Sequence, residues 1–269
     1  MIRFLVNISI LVLLSFPTSG WTTEQIVVGD FSGAPTEESL PDLWEPLLFD
    51  GIENHTTYKH VADGTTYAIR AESSNSSSGL IRKISINPAT HPTISFSWKI
   101  QNILESANLA DKIKNDAPAR IFISFAYDSK QVYWFERMKF EASKIVYGEY
   151  PPITTLIYVW ASHLNKGIII ESPYSDRIKI IVLESGNSET GTWVSEKRDV
   201  FADYCKAFST ETVPMISGVA IMTDTDNTAR QAVSWYGDIV FSASSPEKEP
   251  FNSKPKAGKR IEIPQIDNP

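Results

Sequence analysis

Along residues 93–100, TISFSWKI, the polar positions Thr93, Ser95, Ser97 and Lys99 alternate with Ile94, Phe96, Trp98 and Ile100. A period of two places one set on each face of a β-strand, so the segment reads as a strand with one face in a core. Runs of β-branched and aromatic residues recur at 65–71, 80–86, 119–127, 154–160, 177–184, 191–196, 218–223 and 234–241, many of them bounded by Gly, Pro, Asn or Ser. About nine strands with little helix between them predict an all-β fold: an antiparallel β-sandwich, jelly-roll-like, with one or two short helices inserted. Gly237 falls inside the last of these runs and marks a bulge or a close approach to the backbone.

Two stretches keep helical spacing instead. Within 133–152, Phe135, Met138, Ala142 and Ile145 share a face, Gly148 sits where a helix ends, and Pro151 and Pro152 stop any continuation. In 198–208, Val200, Tyr204, Ala207 and Phe208 line one stripe with Asp199 and Asp203 beside it. Asp199 near the start interacts favourably with the positive end of the helix dipole.

The ends of the chain depart from this patterning. Residues 1–20 combine Arg3, an apolar run from Phe4 to Leu14 and the small residues Thr18, Ser19 and Gly20, the layout of a cleaved secretory signal. The apolar run falls short of the ~20 residues that span a bilayer. A periplasmic or secreted location is therefore expected, with no membrane insertion after cleavage. Residues 244–269 are rich in Pro, Ser and Lys and read as a disordered tail, which leaves 21–243 as a single sandwich domain. Cys205 is the only cysteine, so no internal disulfide can form, and its surroundings suggest a small buried hydrophobe. The formal net charge is −7 over 269 residues. An acidic body repels phosphate backbones and anionic headgroups, which makes nucleic acid a poor partner.

Candidate chemistry gathers at 218–228, GVAIMTDTDNT, where an apolar strand ends in acids. On a strand, Ala220, Met222, Asp224 and Asp226 share one face, with the two carboxylates ~7 Å apart. Such a pair can share a cation, receive sugar hydroxyls, act as acid and base, or merely make Asx-type turns between two strands. The EF-hand template fails, because Ala229 and Trp235 stand where it needs Gly and Glu. An irregular cation site would draw on Asp224, Asp226 and Asn227, with calcium as the ion. Asp238 lies within the last strand, and Arg120 offers a bidentate partner to carboxylates, the protein's own before a ligand's. Trp98, Trp160, Trp193, Trp235, Tyr158 and Tyr236 are strand aromatics, mostly core, with Trp235 and Tyr236 the candidates to stack on a sugar. His55, His60, His91 and His163 lack zinc spacing, and no phosphate loop or nucleophile elbow occurs.

Taken together, WEPLLFDGIENHTTYKH (44–60), RAESSNSSSGL (70–80), NDAPARIFISF (115–125), TLIYVW (155–160), EKRDVFADYCKAF (196–208), GVAIMTDTDNT (218–228) and YGDIVF (236–241) resemble the bacterial secreted family catalogued as domain of unknown function 3047. The resemblance implies no catalytic residues. The closing MTDTDNT and YGDI segments are also similar, at the level of fold, to the last two strands of galactose-binding-like jelly rolls, many of which bind carbohydrate. Three readings follow. The first is a ligand-binding sandwich, most plausibly for a glycan, with Asp224, Asp226, Asn227, Asp238, Arg120, Trp235 and Tyr236 in contact and no catalysis. The second is a glycoside hydrolase or polysaccharide lyase working through an Asp pair. The third is an envelope interaction protein that docks another protein through its tail.

Overall fold

The computed structural model describes residues 24–33, 40–127 and 152–244. The expected signal, the helix before Gly148 and the tail from 245 onward lie outside the described residues. Among the described residues there are thirteen strands and one helix: β1 Gln25–Gly29, β2 Glu45–Leu47, β3 Thr57–Asp63, β4 Thr66–Ser74, β5 Ser77–Ile86, β6 Thr93–Ile100, β7 Ala117–Phe125, β8 Thr154–Ala161, β9 Ile169–Ser172, β10 Ser175–Ser185, β11 Val194–Asp199, α1 Val200–Phe208, β12 Ile216–Asp224 and β13 Gln231–Ser242. Among the described residues no helix is long and apolar enough to cross a membrane.

These strands build a two-sheet sandwich. One sheet runs β11-β6-β13-β4-β3, with β1 also paired to β13; the other runs β2-β5-β12-β7-β8-β10-β9. Every pairing is antiparallel except β8 with β10, which is parallel. That departure from a purely antiparallel expectation arises because β9 hairpins back onto β10, so the chain re-enters the sheet beside β8 in the same direction.

Alternation sets the core. Ile94, Phe96, Trp98 and Ile100 of β6 point inward and meet Tyr158 and Trp160 of β8 across the gap between sheets. In β12 the inward set is Val219 and Ile221, while Ala220, Met222 and Asp224 face away. The outer face of the seven-stranded sheet is itself largely covered, because Leu109 packs with Ala117, Ile157, Val159, Ala161, Ile180 and Val182 in a second apolar cluster there. Strands β8 and β10 therefore read as near-continuous hydrophobic runs.

The strands that sequence patterning passes over are β1, β2, β3 and β9. β2 has three residues and includes Pro46, β9 has four, and β3 alternates only between exposed and half-buried positions. The helix is capped by Asp199, whose carboxylate accepts from Ala202 N at 2.8 Å, and is closed by Ser209 in the left-handed region. Cys205 is half-exposed, correcting its reading as a buried residue: Val200, Asp203 and Tyr204 take the inward face of α1 and turn Cys205 outward. At Gly237 an added Cβ would collide with Ser97 Oγ, and the β13–β6 register shifts between Tyr236 and Ile239. The glycine thus marks both the bulge and the close approach expected of it.

Candidate functional site

Strand β12 lies inside the seven-stranded sheet, between β5 and β7, and ends at Asp224, on the outer face. Its neighbour β7 sets Arg120 opposite Met222 and Ala117 opposite Asp224. This register brings the Arg120 fork onto the carboxylate: Nε donates to Oδ1 at 2.9 Å and Nη2 to Oδ2 at 3.2 Å, while Ala117 N donates to Oδ1 at 3.1 Å. Arg120 Nη2 also donates to the Asn115 carbonyl at 2.5 Å and to Asn115 Oδ1 at 3.2 Å. Both partners of the ion pair are almost wholly buried, at 3 % and 6 % side-chain exposure.

After β12 the chain turns through 226–229. Asp116 organises that turn, accepting from Asn227 N at 3.2 Å with one oxygen and from Thr228 N and Oγ1 at 2.6 and 2.5 Å with the other. Oxygens of Asp116, Asp224 and Asp226 lie within 4.8 Å of one another. Burial pushes the Asp224 carboxyl up to about 6, and the Asp116 charge adds to the shift, while the Arg120 charge and hydrogen bonds from Arg120 and Ala117 only partly pull it back. Asp226, half-buried, is raised as well, again by burial first and the Asp116 charge second.

A cavity of about 360 Å³ opens over these groups. Its polar end is formed by Asn115, Arg120, Asp224, Asp226, Asn227 and Ser77; Phe122, Ile157, Ile178 and Met222 make its floor. Phe49 and Ile52 stand on one wall, and Tyr174, in the β9–β10 turn, stands on the other with Ser172. Tyr174 Oη lies 3.0 Å from the Lys112 carbonyl and 3.4 Å from Asn227 Oδ1. A wider depression of about 550 Å³ sits by β3, β4 and the start of β13, lined by residues such as Asn54, His55, Ser73 and Gln231. It is shallow and polar and lacks the convergence of charged and aromatic groups that marks the smaller cavity.

Residues 42–240 match the family described as Protein of unknown function (DUF3047). The chain belongs to that family. Solved structures similar to this DUF3047 protein include the K2 cleaved adhesin domain of Lys-gingipain, at 13% identity and a TM-score of 0.36 over 82% of this chain and 98% of that one. The K3 cleaved adhesin domain of Lys-gingipain from Porphyromonas gingivalis W83 aligns at 11% identity and TM-score 0.34, over 76% and 93% of the two chains. A beta-1,2-glucanase from Parabacteroides distasonis aligns at 13% identity and TM-score 0.32, over 75% of this chain and 23% of the glucanase. At TM-scores this low, none of the three carries an argument about function. No curated protein matches the chain.

Of the seven contact residues expected from the sequence, the DUF3047 structure brings four together: Arg120, Asp224, Asp226 and Asn227 line one cavity. The other three lie elsewhere. Tyr236 points between the sheets, donating to the Met222 carbonyl at 2.6 Å, with Thr223 Oγ1 at 2.9 Å. Trp235 lies on the outside of the other sheet, with Lys99 Nζ 4.4 Å and the Arg70 guanidinium 5.7 Å from its ring centre. Asp238 anchors the loop after β1, accepting from Phe31 N, Ser32 N and Ser32 Oγ at 2.6–2.8 Å.

The acid set also differs from the expected cation ligands. Asp116 joins Asp224 and Asp226, whereas Asn227 Oδ1 faces the Tyr174 hydroxyl. Asp116, Asn115, Tyr174 and Phe49 were not singled out in the sequence. The signal for the first two was Asn115-Asp116 placed just before Pro118 and the Arg120 strand.

Proposed function

We propose that this DUF3047 protein is an exported, non-catalytic binding sandwich that holds a carbohydrate ligand in the cavity on the outer face of its seven-stranded sheet. The observation that carries the reading is the convergence, in one cavity of about 360 Å³, of a buried guanidinium, carboxylates and side-chain amides with the exposed aromatic rims Tyr174 and Phe49. Polar groups that converge beside an aromatic surface suit a ring bearing both hydroxyls and an apolar face. Export rests on the character of residues 1–20.

The reading is non-catalytic because Asp224, the most buried carboxyl of the lining, spends its oxygens on Arg120 and Ala117. An acid/base pair needs two groups free to exchange protons with substrate. Calcium at Asp116, Asp224 and Asp226 is the cation the oxygen donors would take.

The test is thermal unfolding of the chelator-treated protein against a panel of oligosaccharides and, separately, calcium. A ligand that binds only the folded state raises the melting temperature by mass action. A shift with a sugar that disappears in Tyr174→Ala and Asp226→Asn, with the sugar left unshortened, is the expected result. An equal shift in both variants would remove the cavity from the account, and a shift with calcium alone would turn the acids into a structural ion site.

A further inference from the structure

The cavity is two-ended along the strands, and the order of its lining residues follows from register. On β7, Arg120 and Phe122 are successive outward positions; Arg120 stands opposite Met222 of β12, and Phe122 opposite Ile157 of β8. Ile178 of β10 extends the same floor across the parallel pair. From the loop end toward the middle of the sheet, the lining therefore changes from Asn115, Arg120, Asp224 and Asp226 to Phe122, Ile157 and Ile178.

At the polar end, Arg120 is 2 % exposed, and among the described residues none accepts a hydrogen bond from its Nη1, since Nε and Nη2 carry its bonds. A guanidinium that lines a cavity with one nitrogen lacking a protein acceptor can receive water or an oxygen of the occupant there. Three carboxylates against one guanidinium make that acceptor a neutral oxygen, because an anionic group would add a further like charge. Asp226, half-buried at the same end, is a further acceptor for a hydroxyl of the occupant. Phe122, Ile157 and Ile178 themselves offer no polar group to a second sugar ring.

Resting on the reading of this cavity as a binding site, we infer that its ligand is an amphipathic glycoside: a neutral polyhydroxyl head held by Arg120 and Asp226, joined to an apolar body that lies on Phe122, Ile157 and Ile178. A bare polysaccharide segment leaves that floor unmatched. The head and the body each contribute to affinity, and the head also sets direction.

Calorimetric titration of the intact protein with n-alkyl β-D-glucosides from methyl to octyl, below their micelle concentrations, tests the assignment. Triethylene glycol monooctyl ether serves as the same tail without the sugar. Affinity should rise about fourfold per added methylene until the floor is covered, and the ether should bind far more weakly than the octyl glucoside. Phe122→Thr and Ile178→Thr, both half-buried strand positions that tolerate β-branched residues, should flatten the dependence on chain length. Equal affinity for methyl and octyl glucoside would overturn the apolar body while preserving a sugar site. Equal affinity for the ether would overturn the polyhydroxyl head. Binding of none of these compounds would overturn both this assignment and the cavity as the ligand site.

Discussion

Two arginine–aspartate forks with the same chemistry sit on opposite sides of the sandwich. Arg120 and Asp224 pair at the cavity, with both side chains almost fully buried. Arg198 and Asp203 pair where β11 meets α1, with Nε to Oδ2 at 3.0 Å and Nη2 to Oδ1 at 2.5 Å, and there the arginine side chain is 36 % exposed. Asp203 also accepts from Tyr158 Oη at 2.8 Å, so this fork ties a helix to a core strand. The cavity fork is hemmed in by further acids, Asp116 and Asp226, whereas the helix fork faces a tyrosine. The same pair of residue types ties a helix to a core strand at one place and forms the polar end of the proposed binding cavity at the other.

The sharpest way to break the comparison is Arg120→Met. It leaves a buried carboxylate without its cation and should cost about 3–5 kcal/mol in denaturant unfolding. The double change Arg120→Met, Asp224→Leu should recover most of that loss, because two apolar groups can replace a buried pair at little net cost. If the double variant is no more stable than the single one, the fork is not the source of the loss. Arg198→Met should cost less, about 1–2 kcal/mol, since half-exposed ion pairs are screened by water and Tyr158 still satisfies Asp203. Equal losses at the two arginines would erase the distinction drawn here.

A smaller effect separates the two sides by pH. Asp224 is raised to about 6, and on the helix side Glu196 of β11 is raised to about 7, by burial first and the Glu184 charge second. A carboxyl whose folded pKa exceeds its unfolded value contributes stability that is complete below the unfolded range near ~4. That contribution is lost as pH rises through the folded value. Unfolding free energy should therefore increase as pH falls from 8 to 5, and Glu196→Gln should remove most of the slope between about 6 and 7 and part of it between about 5 and 6, where Asp224 supplies the rest. A variant curve parallel to the parent throughout would assign the slope to other groups. Smallest of all, Asp199→Ala should remove the cap of α1 at a cost of about 1 kcal/mol and leave ligand binding at the cavity untouched.

Burial decided which elements could be read from sequence. The run 93–100 is matched residue for residue by β6, because one of its faces is wholly in the core. β2 and β9 carry too few residues for any period to show. At the site, the acid that ends β12 and the arginine that answers it were both legible from local chemistry. Asp116 and Tyr174 were not, because the β12–β7 register and the β9–β10 turn bring them in from distant parts of the chain. Tyr236 and Asp238 were grouped with the acids by nearness along the chain. The turn at 226–229 carries the chain from the seven-stranded sheet to the six-stranded one, so β13 begins in the other layer. An arch between sheets and a hairpin within one are written with the same turn residues.

The docking of β1 on β13 pairs Val27 with Val240, nearly the two ends of the described chain. Synthesis delivers the amino-terminal segment first. The opening strand therefore has no partner in its own sheet until almost the last residue of the fold has been made. A chain cut short of residues 239–242 lacks the strand segment that pairs with β1.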